Sequence, residues 1–390
     1  MSGFLSSRHR SGHCPAPGRP RVSPPARSVL SCSCGPLSPD RGCGLYEARA
    51  ACKGTAVESR ACCHICTGCT KDTHERKADS MDQAGPRVAI IGAGIAGLSC
   101  AARLRAAGIW PVVFEKSRGI GGRTATRRAQ ALRFDHGAQY VTAKGPGFAM
   151  YLGRAITAGH ASRWGAPALG RHVGLPGMSG LAQPLADGVE IRFGTEIRAA
   201  RHGPDGWTLS TDDGPLADRF DRLVCTCPAP QALRLFPDLG GALAHVEMAP
   251  CWALMLALDT PMPHLPDAEK LSEGPLSFVA RNASKPARDP GPETWVIHAS
   301  PDWSRAHLEL EKETVRDLLA QAFAAHAGQA PAIAHATAHR WRFAMVTRPL
   351  GQPFLSARDG HLLLGGDWAL GPRVEAAFDS GHAMAKALIG

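Results

Sequence analysis

Residues 87–108, RVAIIGAGIAGLSCAARLRAAG, constrain this chain more than any other stretch. VAII is a short apolar run of the kind that forms a buried parallel strand. Gly92-x-Gly94-x-x-Gly97 follows at once, and LSCAARLRAAG has a helical composition that stops at Gly108. Strand, glycine turn and helix in that order predict a dinucleotide-binding βαβ entrance. Gly92 permits the tight turn, Gly94 lets the backbone approach a pyrophosphate, and Gly97 lets helix and strand pack closely. Ile95 and Ala96 would present free backbone N–H groups to the phosphates at the positive end of the helix. The next strand is read in PVVFEKS, and Glu115 stands 18 residues beyond Gly97, where a carboxylate accepts hydrogen bonds from ribose hydroxyls. These features fit FAD and NAD equally, because both contain the same ADP half.

Composition divides the chain near residue 80. The first 80 residues hold nine of the 13 cysteines, seven prolines and +6 of the net charge of +10, without an amphipathic period. They read as a disordered or artefactual extension, and their basicity is therefore no argument for a nucleic-acid partner. Within them Cys63-x-x-Cys66-x-x-Cys69, with His64 between, has the spacing of metal sites but lacks a second ligand pair. No metal is expected. No run reaches the roughly 18 apolar residues needed to span a bilayer, and no secretory signal is visible. The expectation is a cytoplasmic protein with no membrane partner, and the remaining cysteines (100, 225, 227, 251) suit a reducing compartment. Cys225 and Cys227 alternate along a predicted strand and read as packing residues.

Three further segments favour a flavin. Lys116 opens KSRGIGGRTATRR, a second glycine cluster that an NAD dehydrogenase does not need. Gly121 and Gly122 would allow close approach of an extended FAD, and Arg123 would offer its guanidinium fork to phosphate oxygens. Near the C-terminus, HLLLGGDWALGPRVEAAF predicts a strand over 361–364, a turn at Gly365-Gly366-Asp367 and a closing helix from about Val374. Asp367 would take the ribityl hydroxyls, and the helix start at Arg373 and Val374 would face the pyrimidine end of the flavin. Residues 221–236 read as a strand ended by Pro228 and followed by a helix, after a β-meander with turns at Gly203–Gly206 and Asp212–Gly214. Val189 or Ile191 would pack on the adenine or simply in the core.

At this level of detail the chain resembles the renalases, in their bacterial branch, within the amine-oxidase-like flavoprotein superfamily. The resemblance runs in order from about residue 87 to the C-terminus through IIGAGIAGLS, EKSRGIGGRTATRR, DHGAQYVTA, HVGLPGMSGL, FVARNASKPARD, ETWVIHASPDWSR, HRWRFA and GGDWALGPRVEAAFDSG. It implies an α/β protein with a discontinuous Rossmann-type (GR2-like) FAD-binding domain and an inserted α+β substrate domain on a mixed or antiparallel sheet. The expected boundaries are 86–147, 172–236 and 343–390 for the FAD domain and 148–171 and 237–342 for the substrate domain. It further implies noncovalent FAD and oxidation of 2- or 6-dihydro-NAD(P) to NAD(P)+, with O₂ taking the electrons as hydrogen peroxide. One departure is Ala376, where the family often has Gly.

Hydride loss from a dihydropyridine needs no general base, only stacking with the donor carbon about 3–3.5 Å from its acceptor. No catalytic residue is therefore singled out. Expected substrate contacts are Gln139 and Tyr140 after the Gly137 turn (Gln139 also near the flavin), Arg281, Asn282 and Lys285, with Ser284 and Arg288 beside them, Trp295 and His298, and Trp341 and Arg342. Two alternatives stay open: a flavin amine oxidase and a non-catalytic flavin redox sensor. Three tyrosines in all, and no cysteine after Cys251 for cysteinyl attachment, weigh against the first.

Overall fold

The computed structural model describes residues 85–129 and 131–390; the cysteine-rich segment and its candidate metal spacing lie outside the described residues. The chain begins with strand β1 (Val88–Ile91), helix α1 (Ile95–Ala106) and strand β2 (Val112–Glu115). Next come the antiparallel pair β3 (Arg127–Ala129) and β4 (Leu132–Phe134), helix α2 (Pro146–Thr157), the pair β5 (Ala161–Arg163) and β6 (His172–Gly174), and the short helix α3 (Gln183–Ala186). Strand β7 (Glu190–Phe193) leads into a meander, β8 (Ala199–Gly203), β9 (Gly206–Thr211) and β10 (Gly214–Phe220), with its turns where the glycines predict them. Then follow β11 (Arg222–Cys225), α4 (Ala229–Leu235), α5 (Gly240–Leu243) and the long strand β12 (Glu247–Leu258). Strands β13 (Ala268–Lys270), β14 (Leu276–Arg281) and β15 (Glu293–Ala299) precede helices α6 (Pro301–Ala306) and α7 (Lys312–Ala327) and strand β16 (Ile333–Arg348). The chain closes with β17 (Phe354–Ala357), β18 (Leu362–Gly365), α8 (Asp367–Leu370) and α9 (Val374–Ile389).

Two large sheets organise these elements. The first has the order β17-β18-β11-β1-β2-β7, parallel throughout except for the antiparallel edge strand β17. β1 sits centrally and is buried on both faces, as its uninterrupted apolar run requires. Val88 and Ile90 share a core with Leu98, Leu104, Phe378 and Met384 of α1 and α9. Ala89 and Ile91 share one with Trp207, Leu209 and Phe220 of the meander. The second sheet, β13-β14-β15-β12-β16, is antiparallel. Val315, Leu319, Phe323 and Ala327 form a single stripe on α7 and pack with Leu254, Leu256, Trp295 and Ile297 on one face of that sheet. Met255, Ala257 and Val296 point from the other face onto Phe134.

Two expected boundaries need correction. Segment 148–171 was expected with the inserted lobe. Instead Phe148, Leu152 and Ala155, an i, i+4, i+7 stripe on α2, join the core of α1 and α9. The boundary at 342/343 falls inside β16, a single strand paired along β12. The turn expected through Asp367 is also shorter, because Asp367 opens the unforeseen helix α8. Cys225 is buried in the core, whereas Cys227 lies beyond the end of β11 and is half-buried. Among the described residues no helix is long and apolar enough to cross a membrane.

Candidate functional site

The glycine loop after β1 is built as close packing demands. Gly92 has φ +105°, and a Cβ on Gly97 would overlap the Gly92 carbonyl oxygen, so a larger residue there would push α1 off the sheet. Around Gly94, by contrast, the Cβ direction is open, with no heavy atom within 4 Å. Gly94 is the N-cap of α1 and no side chain caps the helix, so the first turn, with Ile95 and Ala96, keeps its N–H groups for an anion. Glu115, buried at the end of β2, accepts from Ala93 N (2.8 Å) and Ser117 N (2.8 Å), which pins its carboxylate beside the loop. Lys116 follows on the exposed side.

The second glycine cluster comes against the first. Gly121 N donates to Ala93 O (2.8 Å), and a Cβ on Gly122 would stand 3.4 Å from Gly94 Cα. Ile191, on β7 beside Val113, is half-buried and packs on the α1 core together with Val189. Pro228 caps α4 just past β11. Open space at Gly94, an uncapped helix start and a fixed carboxylate at the next strand end together fit the ADP half of a dinucleotide.

Arg123 and Asp367 were expected to hold different parts of the cofactor, and they bind each other instead. The guanidinium donates to both carboxylate oxygens (2.7 and 2.5 Å) and to Ala344 O (3.1 Å). Opposite charges brought together by the return of β18 close a bidentate pair, so the Arg123 fork is already engaged. Gly366 (φ +148°) donates its N–H to Ser380 Oγ (2.9 Å), fixing the turn on α9. At the start of α9, Arg373 is the N-cap and pairs with Glu375 (2.7 Å), and no side chain caps the first turn from Val374. Glu375 is buried and accepts from Lys144 N (2.9 Å) and Gly145 N (2.5 Å), tying the start of α9 to that of α2. Ala376 is buried in the same turn.

A polar cluster surrounds the loop after β4, beside the antiparallel sheet. Asp135 is fully buried and receives Lys285 Nζ (3.1 Å), Arg288 (2.5 Å), Met178 N (2.8 Å) and Thr126 Oγ1 (2.8 Å). Burial alone would raise its carboxyl, but the two cations outweigh that and hold it at about 2. Burial brings Lys285 down to about 8 against the pull of Asp135, leaving the ammonium charged at neutral pH. Lys285 also donates to Gln139 Oε1 (3.0 Å), while Gln139 Nε2 donates to Asp135 O and Gly137 O.

Three imidazoles adjoin this cluster. Burial lowers His298 to about 4 and, with the Arg127 charge, His339 to about 4. Burial, His339 and Arg127 lower His136 to about 3. All three are neutral at pH 7. Trp341 donates its indole N–H to His136 O (3.0 Å), and its ring lies 4.9 Å from His136 and 4.5 Å from His339. Tyr140 lies 6.0 Å from Phe278, and Phe278 6.5 Å from His298, forming an aromatic shelf.

The structure thus brings Gln139, Tyr140, His298 and Trp341 to one side of the antiparallel sheet. Four other expected contacts are corrected. Trp295 and His298 are three residues apart on a strand and so project to opposite faces. Trp295 is fully buried against Phe323 of α7. Arg281 covers the Trp295 ring and is tied to Glu293, Met262 O and Leu265 O. Asn282 is buried, donating to Arg133 O (3.0 Å) and Thr294 Oγ1 (3.2 Å) and accepting from Asp135 N (3.3 Å), as a structural bracket. Arg342 is exposed and paired with Glu309 (2.6 Å) ahead of α7. Lys285, with a fully buried side chain, holds Asp135 and Gln139 in place.

Sequence reasoning missed Asp135, His136 and His339, although all three belong to segments it selected, DHGAQY and HRWRFA. No local signal marks them: Asp135 and His136 lie in the loop after β4, and His339 stands in the polar stretch HRWR of β16, so only packing sets them apart.

Fold and site together define a flavin-dependent oxidoreductase, with FAD as its cofactor. The chain belongs to the flavin-containing amine oxidoreductase family, which matches residues 147–389. An NAD(P)-binding Rossmann-like domain family matches residues 90–153. Renalase of Mus musculus is 27% identical over 321 residues, covering 72% of this chain and 92% of its own length. Among solved structures, an Exiguobacterium sp. 255-15 protein bearing a protoporphyrinogen oxidase designation shares the fold (TM-score 0.67, 13% identity, 79% of this chain and 99% of that one). Cyclohexylamine oxidase of Brevibacterium oxydans IH-35A does so with TM-score 0.57 and 15% identity, over 78% of this chain and 99% of that one.

Proposed function

We propose that this protein oxidises isomeric dihydronicotinamide dinucleotides, 2- or 6-dihydro-NAD(P), to NAD(P)+ with O₂ as final acceptor, a metabolite-repair activity in a cytoplasmic setting. Noncovalent FAD, when bound, supplies the two-electron acceptor that O₂ restores with release of hydrogen peroxide. Gly92, Gly94, Ile95, Ala96, Gly97, Glu115, Gly121 and Gly122 would hold its ADP and pyrophosphate end. Gly366, Arg373 and Val374 would stand at its flavin end.

The observation that carries this reading is the character of the shelf. Tyr140, Phe278 and His298 offer neutral ring surface, the neighbouring rings tilted 45° and 41° to one another, and the nearby carboxylate, Asp135, is buried and covered by Lys285 and Arg288. A neutral dihydropyridine needs orientation there and no base. The neutral imidazoles place no charge against the cationic ring that forms. Likeness to mouse renalase along most of both chains supports the same substrate class.

Anaerobic mixing of the holoenzyme with 2-dihydro-NAD(P), 6-dihydro-NAD(P), NADH and a panel of amines tests the proposal. Rapid loss of yellow absorbance with one or both isomers is expected, with NAD(P)+ formed and peroxide released when O₂ is admitted. Bleaching by amines alone would overturn it in favour of an amine oxidase. Reduced enzyme that resists O₂ would point to a redox sensor.

A further inference from the structure

Arg171 is a cation next to the shelf whose side chain meets neither an acidic partner nor any other hydrogen-bond acceptor among the described residues. It immediately precedes β6, beside Tyr140, because Val141 and His172 are bridged in an antiparallel register. Its guanidinium carbon lies 4.9 Å from the Tyr140 ring centre and 5.9 Å from that of Trp164. Those two rings are 6.3 Å apart. Trp164 is buried and donates its indole N–H to Ser284 Oγ (3.0 Å), which anchors the platform on the loop that carries Lys285.

The other cations of the region have acceptors: Arg127 donates to His339 Nδ1 (3.2 Å), and the rest are ion-paired. Arg123 is paired with Asp367, Arg133 with Asp289, Arg281 with Glu293, and Lys285 and Arg288 with Asp135. Among the described residues no carboxylate or carbonyl accepts from the Arg171 side chain. A guanidinium resting on aromatic rings still needs planar acceptors along its N–H edges, and phosphate oxygens match that fork bidentately. Arg171 is half-buried, so a ligand can reach it, yet it is partly shielded from water. From Arg171 the rings run on through Tyr140 and Phe278 to His298.

We propose that Arg171 anchors the substrate by its diphosphate while the dihydronicotinamide ring rests on the shelf. This rests on the dihydronicotinamide reading above and adds a recognition residue to it. Arg171 positions the ligand and takes no part in hydride transfer.

The test compares wild-type holoenzyme with Arg171→Met and Arg171→Lys on three donors. These are a dihydro-NAD isomer, the corresponding dihydro-mononucleotide and a phosphate-free N-alkyl dihydronicotinamide. In Arg171→Met the KM ratio of dinucleotide to phosphate-free donor is expected to rise about 10- to 100-fold, the loss of a charge-assisted fork, with kcat for the dinucleotide changing far less. Arg171→Lys, a point charge without the fork, should fall between. Equal losses on all donors, or an unchanged KM for the dinucleotide, would overturn the proposal.

Calorimetric titration with inorganic pyrophosphate reads the anion site independently, with binding expected in wild type and lost in Arg171→Met. If wild type is reduced only by amines while pyrophosphate binding still depends on Arg171, the substrate reading fails and the anion site stands. Pyrophosphate binding indifferent to Arg171, or absent, sinks the anchor whatever the donor. Flavin content and Tm identify a misfolded Met variant, and Arg171→Lys then carries the comparison.

Discussion

Single residues here are chosen by what touches them more than by their own chemistry. Asp135, Lys285 and Arg288 are ionised groups removed from water, and each is held by the others, so loss of one would strand a buried charge. The imidazoles behave oppositely, being buried without a carboxylate partner and kept neutral. His136, His298 and His339 have folded values lowered to about 3, 4 and 4, below the ordinary value near 6.5. A lowered value means the unfolded chain binds more protons in that window, so stability is complete above about pH 6.5 and declines as pH falls towards 4. Thermal melts of the holoenzyme between pH 6.5 and 5, where ordinary carboxylates remain ionised, should show Tm falling steadily. His339→Asn should flatten that slope, and a Tm independent of pH across the window would contradict the assignment.

At the scale of elements, close crossings matter more than helix propensity. Helices α1 and α9 meet where a Cβ on Gly381 would overlap Ala96 O, backbone that cannot swing aside. Ser99 Oγ adds a bond to Phe378 O (2.9 Å) at the same crossing. Gly381→Ala improves helix propensity by roughly 1 kcal/mol, yet overpacking costs about 1–3 kcal/mol. Its Tm should fall, and α9 should shift away from α1. Gly153, inside α2, has nothing within 4 Å of its Cβ direction. Gly153→Ala should therefore raise stability by roughly 0.5–1 kcal/mol. Calorimetry on the two variants checks both signs, and equal effects would remove the crossing argument. α8 also belongs to this scale, because Trp368 is buried with its indole bonded to Cys227 O (2.9 Å), holding the turn after β18 to the end of β11.

Across the whole molecule, the elements proposed to hold FAD come from distant parts of the chain, from β1 to the closing helix α9. A ligand contacting them together binds the folded state and not the unfolded one. Removing FAD should therefore lower Tm, and adding it back should restore Tm with a logarithmic dependence on concentration. The gain is about 2.7 kcal/mol at a hundredfold excess over Kd. Scanning calorimetry of stripped and reconstituted protein measures this, and a Tm blind to FAD would speak against cofactor contacts spread over the sheet and both glycine loops.

The entrance Val88–Gly97, Glu115 and the closing helix from Val374 were legible in sequence, as were the meander turns, because each depends on local chemistry. A glycine that must lack a Cβ, a strand apolar on both faces and a carboxylate at a fixed offset announce themselves within about thirty residues. The two glycine clusters also carried the expectation of FAD, which the match to the flavin-containing amine oxidoreductase family supports. Only the tertiary structure decided which charges remain free. Arg281, Arg342 and Arg123 look alike on paper, yet each meets a carboxylate brought from elsewhere in the chain, Glu293, Glu309 and Asp367. Arg171 meets two aromatic rings instead. Strand register decided the rest, turning Trp295 into α7 and His298 towards Gln139. A two-residue period fixes which side chains share a face, but which face meets the site depends on what packs against the sheet.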